Sequence, residues 1–272
     1  MAASRDFKGK TVVITGAAGG LGSAFARRFG KAGAKLGLLD VSAEGTQSLC
    51  RELEDQGIKS IGLVCDLTNA DDCQGAITGV IQRFGGIDAL INNAGITHRS
   101  AFRETNIEVF QRVMNINYFG SLYCTKAALE SLIERKGLIV VISSVAGFSP
   151  LLGRSGYSAS KHALHGLFES LRTELKPIGV DVTIVCPGFT STGIATRALG
   201  GDGQVTTHPQ STFGRISKPD DVAEDVFQAA CRGGGRLVVL SAVGRLTRIV
   251  HKLSPALYER LMARSLASEL KR

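Results

Sequence analysis

Short apolar runs alternate along the chain with longer segments of helical period. The short runs predict strands covered on both faces, because their apolar residues are consecutive and do not alternate with polar ones. Such alternation predicts an α/β fold with a doubly wound, Rossmann-type, seven-stranded parallel sheet and helices on both faces. The predicted strands are 11–15, 35–40, 60–66, 87–93, 138–143, 180–186 and 236–240, and the predicted helices are 20–32, 43–57, 70–84, 106–134, 155–176 and 218–232.

The chain of 272 residues suits one domain, since no Pro/Ser-rich linker and no repeat interrupts the pattern. We expect residues 1–241 to form the α/β domain and 242–272 to be its helical extension. Pro255 predicts the start of a second short helix in that extension. The segment 191–217 is rich in Thr, Ser and Gly and is long for a connection in a compact domain, which predicts a lid over a substrate site.

Composition narrows the class of protein. Hydrophobic residues make up 44% of the chain and charged residues 21%, as in ordinary globular proteins. Six scattered cysteines without a C-x-x-C pair indicate reduced thiols and no metal site, and no apolar run resembles a signal peptide. We therefore expect a cytoplasmic protein.

The net charge of +8 is concentrated at the end of the chain, where residues 242–272 hold seven Lys or Arg and two Glu. Nucleic acid is not expected as a partner, because aromatic residues total 6% and no recognition motif is present. Leucines recur through this basic segment at helical spacing. Such a helix can lie on an anionic membrane, although packing against its own domain or a partner subunit is the preferred interpretation.

A glycine-rich loop follows the first predicted strand. Gly16, Gly20, Leu21 and Gly22 stand where this strand gives way to the first helix. Glycines let the backbone approach a pyrophosphate, and a helix N-terminus offers unpaired N–H groups. A dinucleotide is therefore the expected ligand.

An acidic residue ends the second strand. Asp40 can accept hydrogen bonds from the ribose hydroxyls of NAD and would repel the 2′-phosphate of NADP. Neither the glycine loop nor the residues directly after Asp40 include a cation, which also favours NAD. Two alternatives remain open: Asp40 could cap a turn, and Arg27 or Arg28 could fold back toward the site.

An ordered series of motifs resembles the single-domain short-chain dehydrogenase/reductase family, and loosely its steroid- and retinol-oxidising branch. The series is TGAAGGLG at 15–22, Asn-Asn-Ala-Gly at 92–95, Tyr157-x-x-x-Lys161 and Pro187-Gly188. The resemblance implies that Ser144, 13 residues before Tyr157, contacts the reacting oxygen, and that Asn117 holds a proton-relay water. Ser143 and Asn115 are close enough in sequence to be confused with them.

The predicted chemistry centres on Tyr157 and Lys161, which share a helix face at i and i+4. A free tyrosine has a pKa near 10, so we expect Lys161 to lower the pKa of Tyr157 and allow it to act as general acid or base. The resemblance also implies cofactor contacts from Asp66, Leu67, Asn93, Ala94, Gly95, Pro187, Gly188 and Thr192, with Thr190 and Ser191 as alternatives to Thr192 and a structural role possible for Asn93.

The expected function is hydride transfer between NAD(H) and a secondary alcohol or ketone. The resemblance suggests a hydrophobic small-molecule substrate, with Phe148, Leu151 and Leu152 as pocket candidates, and a homodimer or homotetramer formed through helices 106–134 and 155–176. Two alternatives are an NADPH-dependent ketoacyl-thioester reductase, which fits Asp40 poorly, and a non-catalytic NAD-binding scaffold, which would normally lack Tyr157 or Lys161.

Overall fold

In the computed structural model, the described residues are 4–208, 210–212, 214–233 and 237–267. Within them lie seven parallel strands in the order β3-β2-β1-β4-β5-β6-β7. Their bounds are β1 Thr11–Thr15, β2 Lys35–Asp40, β3 Ser60–Val64, β4 Ala89–Asn92, β5 Leu138–Ile142, β6 Asp181–Cys186 and β7 Leu237–Val239. The prediction of a doubly wound, seven-stranded parallel sheet is confirmed. The first residue of the last predicted strand, Arg236, lies outside the described residues.

The helices of the domain lie where the apolar periodicity predicts them. Their bounds are α1 Gly20–Lys31, α2 Ala43–Asp55, α3 Ala70–Phe84, α4 Ile107–Met114, α5 Gly120–Glu134, α6 Ser155–Leu175 and α7 Pro219–Cys231. The predicted helix 106–134 is divided by a π-helical turn, Asn115–Phe119, between α4 and α5. Helix α6 ends just before Lys176 and Pro177, because proline disfavours helical angles in the residue that precedes it.

Two apolar layers cover the sheet. Val12 and Ile14 of β1 point into one layer with α1, α2 and α7, whereas Val13 points into the other with α3, α5 and α6. This alternation is the period of two that a strand imposes. Chain order in the sheet reverses between β1 and β4. The carboxyl ends of these two strands therefore flank the crevice in which doubly wound proteins bind ligands.

The C-terminal segment forms two further helices, α8 Ala242–Leu253 and α9 Pro255–Leu266. Pro255 stands in the first turn of α9, as predicted. Residues 268–272 of the predicted extension lie outside the described residues. None of the helices in the described part of the chain combines the length and the apolar character needed to span a membrane.

Candidate active site

One large cavity opens at the carboxyl ends of the strands. Its volume of about 1790 Å³ exceeds the roughly 300–1,000 Å³ of a small-ligand pocket, so it has room for a dinucleotide and a second molecule. Most predicted site residues line it: Gly16, Gly20, Leu21, Asp40, Asp66, Leu67, Asn93, Ala94, Gly95, Ser144, Tyr157, Lys161, Pro187, Gly188 and Thr192. The two predicted residues behind its wall are Gly22 and Asn117.

The glycine loop fits a pyrophosphate for steric reasons. Gly16 has a φ of +64°, and a Cβ there would lie 2.8 Å from the Ala94 Cα. At Gly22 a Cβ would lie 2.1 Å from the Gly16 carbonyl oxygen, so this glycine allows α1 to pack on the loop. Helix α1 has Gly19 as its N-cap, with no side-chain capping bond and no acidic residue in the first turn. Its first N–H groups and its dipole are therefore oriented to bind an anion.

Asp40 lies beside this loop and shapes it. One carboxylate oxygen accepts from the Ala18 N–H at 2.9 Å, and the other accepts from the Ser42 N–H at 3.0 Å. The carboxylate therefore does cap a turn, and its remaining lone pairs face the cavity that it lines. A sugar hydroxyl at this position could donate to either oxygen.

The two arginines of α1 are held away from Asp40. The Arg27 Nε donates to Glu52 at 2.6 Å, and the pKa of Glu52 is lowered by this hydrogen bond. Arg28 forms an ion pair with Glu224 and stacks on the Phe227 ring, 3.4 Å from its centre. Neither guanidinium is placed to bind a 2′-phosphate at Asp40.

The end of β4 is tied to the end of β1 by side-chain hydrogen bonds. The Asn93 amide donates to the carbonyl oxygens of Thr15 at 2.9 Å and Gly16 at 3.2 Å. The Thr15 hydroxyl in turn accepts from the N–H groups of Asn93 and Ala94. These bonds hold the glycine loop against the cavity floor, so the Asn93 side chain acts structurally here.

Asn117 lies in the π-helical turn and hydrogen-bonds the backbone of the segment that follows β4. Its amide oxygen accepts from the Ile96 N–H at 2.8 Å, and its Nδ2 donates to the Ile96 carbonyl at 3.0 Å and to the Ser160 hydroxyl at 2.9 Å. Asn117 is fully buried, whereas Asn115 is exposed. The π-helical turn thus aims the predicted asparagine at the segment after β4 and at α6.

Tyr157 and Lys161 both lie on the buried face of α6 and line the cavity. The Lys161 Nζ is 5.7 Å from the centre of the Tyr157 ring and donates to the Ile142 carbonyl at 2.9 Å. Ser144 follows β5 and lines the same cavity, and its hydroxyl acts to lower the pKa of the Tyr157 phenol. The predicted group of Tyr157, Lys161 and Ser144 is therefore assembled at one place.

The pKa of Tyr157 departs from the expectation. Burial raises it above its ordinary value, and the Ser144 hydrogen bond and the nearby Arg154 guanidinium lower it by less. Burial also lowers the pKa of Lys161 to about 8. The phenol therefore keeps its proton at neutral pH.

Ser143, the alternative to Ser144, has a different partner. Its hydroxyl lies 2.9 Å from the His165 Nε2, and Cys186 lies against the same nitrogen at 3.7 Å. His165 is buried, which lowers its pKa to about 4, so the ring is neutral. Ser143 thus hydrogen-bonds within this buried cluster, whereas Ser144 lines the cavity with Tyr157.

Four residues of this region were missed from sequence. Arg99, Arg154 and Tyr258 line the cavity, and His98 lies buried behind them. The His98 Nε2 accepts from the Gly156 N–H at 2.9 Å, which fixes the first turn of α6 next to Tyr157. The Tyr258 hydroxyl of α9 donates to the Pro150 carbonyl at 2.6 Å. None of the four belongs to a sequence motif. Each reaches the site through tertiary contacts, so no local pattern indicates it.

Residues of the segment 191–217, which is predicted to be a lid, form one wall of the cavity. Leu199 pairs with the backbone of Thr97 and Arg99, and Ser217 pairs with Phe189 and Ser191. Thr192 approaches the glycine loop, since a Cβ on Gly20 would lie 3.3 Å from the Thr192 side chain. Pro209 and Phe213 of the predicted lid lie outside the described residues.

The structure corrects the pocket candidates. Leu151 lines the cavity, but Phe148 and Leu152 do not. Phe148 packs toward the His165 ring instead, with the ring centres 6.2 Å apart. Apolar walls come in part from the C-terminal helices, including Leu246 and Val250 of α8.

All six cysteines are free thiols, as predicted. Cys65 and Cys73 lie 3.9 Å apart at their sulfur atoms. Contact with Cys73 and burial raise the pKa of Cys65, and contact with Cys124 and burial raise that of Cys73 to about 12, so these thiols are unreactive. Within the described ranges, no group of three or more His, Cys, Asp or Glu side chains is arranged to hold a metal ion.

The fold and cavity are typical of dinucleotide-binding α/β proteins, and comparison with known proteins specifies the family. Residues 10–200 match the short chain dehydrogenase family. Dehydrogenase/reductase SDR family member 7B of Xenopus tropicalis is 38% identical over 267 residues, which cover 96% of this chain and 86% of that protein. The Mus musculus protein of the same name is 36% identical over 272 residues, covering 96% and 82%.

Solved structures agree with these relatives. A short-chain dehydrogenase/reductase from Burkholderia phymatum in complex with NAD superposes with a TM-score of 0.80 at 27% identity, covering 92% of this chain and 96% of that chain. The 3-ketoacyl-(acyl-carrier-protein) reductase from Brucella melitensis complexed with NADH gives 0.75 at 25% identity, covering 86% and 97%. The chain belongs to the short-chain dehydrogenase family of oxidoreductases, as its motifs predict.

Proposed function

We propose that the protein is an NAD(H)-dependent dehydrogenase that interconverts a secondary alcohol and a ketone on a hydrophobic substrate. One observation carries the proposal. A single cavity is lined by the glycine loop and Asp40 and also by Tyr157, Ser144 and Lys161. A nicotinamide dinucleotide bound along it would supply or accept the hydride.

The preference for NAD rests on charge. Asp40 would accept from ribose hydroxyls and repel a 2′-phosphate, and both arginines of α1 are engaged by Glu52 and Glu224. The related structures from Burkholderia phymatum and Brucella melitensis were determined with NAD and NADH. Both observations favour NAD(H) over NADP(H).

In the reduction direction, Tyr157 would act as the general acid. Its raised pKa keeps the proton on the phenol oxygen at neutral pH, ready for transfer to the oxygen of a carbonyl as negative charge develops there. Ser144 would donate a second hydrogen bond to the same oxygen. The positive charge of Lys161, from its anchored position beside the ring, would stabilise the phenolate that remains.

The substrate class follows from the walls around Tyr157. Leu151, Ile194 and Leu199 line the cavity together with the apolar side chains of α8. A hydrophobic alcohol or ketone would fill this space better than a small polar one. We also infer a homodimer or homotetramer through α4, α5 and α6, and the exposed Ile107 at the start of α4 supports an interface there.

The first experiment tests the cofactor. Fluorescence titrations would give the dissociation constants of NADH and NADPH for wild type, Asp40→Ala and a matched control, Asp55→Ala, at an exposed position outside the cavity. The informative quantity is the ratio of the two constants, because losing the Asp40 capping bonds would weaken both ligands alike. We expect only Asp40→Ala to reduce the preference for NADH. If wild type prefers NADPH, the thioester reductase alternative gains support.

The second experiment tests catalysis with a panel of hydrophobic alcohols and ketones. Tyr157→Phe keeps the packing of the ring and removes the acid, so kcat should fall by at least about 100-fold while NADH binding persists. Unchanged turnover in Tyr157→Phe would refute the role of Tyr157. If wild type binds NADH but turns over no member of the panel, the scaffold alternative is favoured.

A further inference from the structure

An exposed apolar surface lies on the two C-terminal helices. The described residues include thirteen large hydrophobic side chains that are exposed, and six of these are on α8 and α9. We call this set the C-terminal patch: Val243, Leu246, Ile249, Leu253, Leu257 and Leu261. Contiguous apolar surface of this kind marks an interaction site in soluble proteins.

On α8 the patch forms one stripe, because its members are three or four residues apart. Leu246 is 62% exposed, Ile249 56% and Leu253 78%. The opposite side of the helix is fixed to the domain. Gly244 is buried there, and a Cβ on it would lie 2.9 Å from Val145 and from Val239. The stripe therefore faces outward as a consequence of how the helix is packed.

Cations accompany the patch on both helices. Arg245, Arg248 and Lys252 of α8 and Arg260 and Arg264 of α9 are exposed, and Glu259 is the one carboxylate on α8 and α9 as described. Two copies meeting through this face would bring five cations against five. An anionic bilayer instead complements both the charge and the apolar stripe.

The patch also borders the mouth of the cavity. Val243, Leu246 and Leu261 line the cavity and are about half or more exposed, so they form its rim. Val205 and Ile216 of segment 191–217 also line the cavity and are about half or more exposed. The entrance to the site is therefore apolar and next to the cationic helices.

We propose that α8 and α9 form a docking surface for an anionic lipid bilayer. The Leu and Ile side chains of the C-terminal patch enter the acyl boundary, and the flanking Arg and Lys side chains pair with lipid phosphates. The helices lie on the membrane and do not cross it. The docked orientation sets the cavity mouth at the lipid surface, so an apolar substrate passes directly from the bilayer to Tyr157; this last step rests on the proposed function.

The test is sedimentation of the full chain with vesicles, without cofactor or substrate, so that its result is independent of any dehydrogenase activity. One vesicle set contains phosphatidylcholine with phosphatidylserine, and the other contains phosphatidylcholine alone. The test variant is Ile249→Ser with Leu253→Ser, two patch residues outside the cavity lining. Its matched control is Val64→Ser with Ile178→Ser, which changes exposed apolar residues elsewhere. Circular dichroism would check that both variants are folded.

We expect wild type and control to bind the anionic vesicles and to dissociate as salt screens the cations. The test variant should bind at least about tenfold more weakly, since burying one such side chain is worth about a factor of ten or more. Lys252→Glu with Arg260→Glu should abolish the preference for phosphatidylserine. Absent binding by wild type, or equal binding by both Ser variants, would overturn the proposal. So would a test variant that changes the oligomeric mass and not the vesicle binding, which would assign the patch to self-contact.

Discussion

Acid should destabilise the protein through a histidine behind the active site. His98 is fully buried, and burial together with the charge of Arg154 lowers its pKa from the ordinary 6.5 to about 4. The Gly156 N–H donates to its Nε2, so the neutral ring carries its proton on Nδ1, which faces the Ser100 hydroxyl at 3.3 Å. Protonation would place a second N–H against the Gly156 N–H and break this bond.

The sign and size of this pH-dependent change in stability follow from the pKa of His98. Because the pKa is depressed in the folded state, the stabilisation is present above the unfolded value near 6.5 and is lost as pH falls toward about 4. Between pH 7 and pH 5 the loss is about 2 kcal/mol for one such ring. His165, also with a pKa of about 4, should contribute a similar amount. Together they would remove a large fraction of the 5–15 kcal/mol that is typical of a domain.

Denaturant unfolding followed by circular dichroism at pH 7 and pH 5 would measure this loss. His98→Gln places an amide where Nε2 accepts its hydrogen bond and does not titrate, so the variant should lose about 2 kcal/mol less than wild type over the same interval. His165→Gln serves as the comparison at the second buried ring. If His98→Gln loses as much stability as wild type, the pKa assignment to His98 is wrong.

Other substitutions test the packing around the site. Gly22→Ala should destabilise the protein by more than about 2 kcal/mol and weaken NADH binding, because its Cβ would overlap the Gly16 carbonyl. Gly75→Ala in α3 has open space around it and should stabilise the protein by about 0.5–1 kcal/mol. Equal denaturation midpoints for the two variants would refute this. Asn117→Ala leaves the Ile96 carbonyl without its donor, so it should lower the free energy of unfolding by at least about 2 kcal/mol and also lower kcat. Denaturant unfolding and turnover can both be measured on one preparation. Tyr258→Phe removes one short hydrogen bond and should cost about 1 kcal/mol in the same unfolding assay, with wild-type stability as the contradicting result.

The strands could be predicted because each is a compact apolar run, and all seven lie within two residues of the prediction. The π-helical turn could not, since the apolar period continues through 106–134. The proximity of Tyr157 and Lys161 could be predicted, because helical spacing places them on one face. The pKa of Tyr157 could not be predicted, because burial raises it and the depth of burial depends on the whole fold.

The cavity walls were predicted least well. The resemblance suggested Phe148 as a pocket residue, but its ring packs toward His165. His98 and Arg154 had no motif to mark them, and Tyr258 stands 108 residues after its partner Pro150. Contacts of this sequence separation depend on the whole fold, so local pattern does not indicate them.

The hydrogen bond between Tyr258 and Pro150 also orders events during synthesis on the ribosome. The glycine loop, β5 and the catalytic helix α6 all emerge well before α9, so the sheet can begin to pack while the cavity is still open on one side. Closure waits until Tyr258 of α9 has been translated. A nascent chain that terminates early, at about residue 240, would therefore retain Tyr157 and Lys161 but lack the side chains of α8 and α9 that line the cavity.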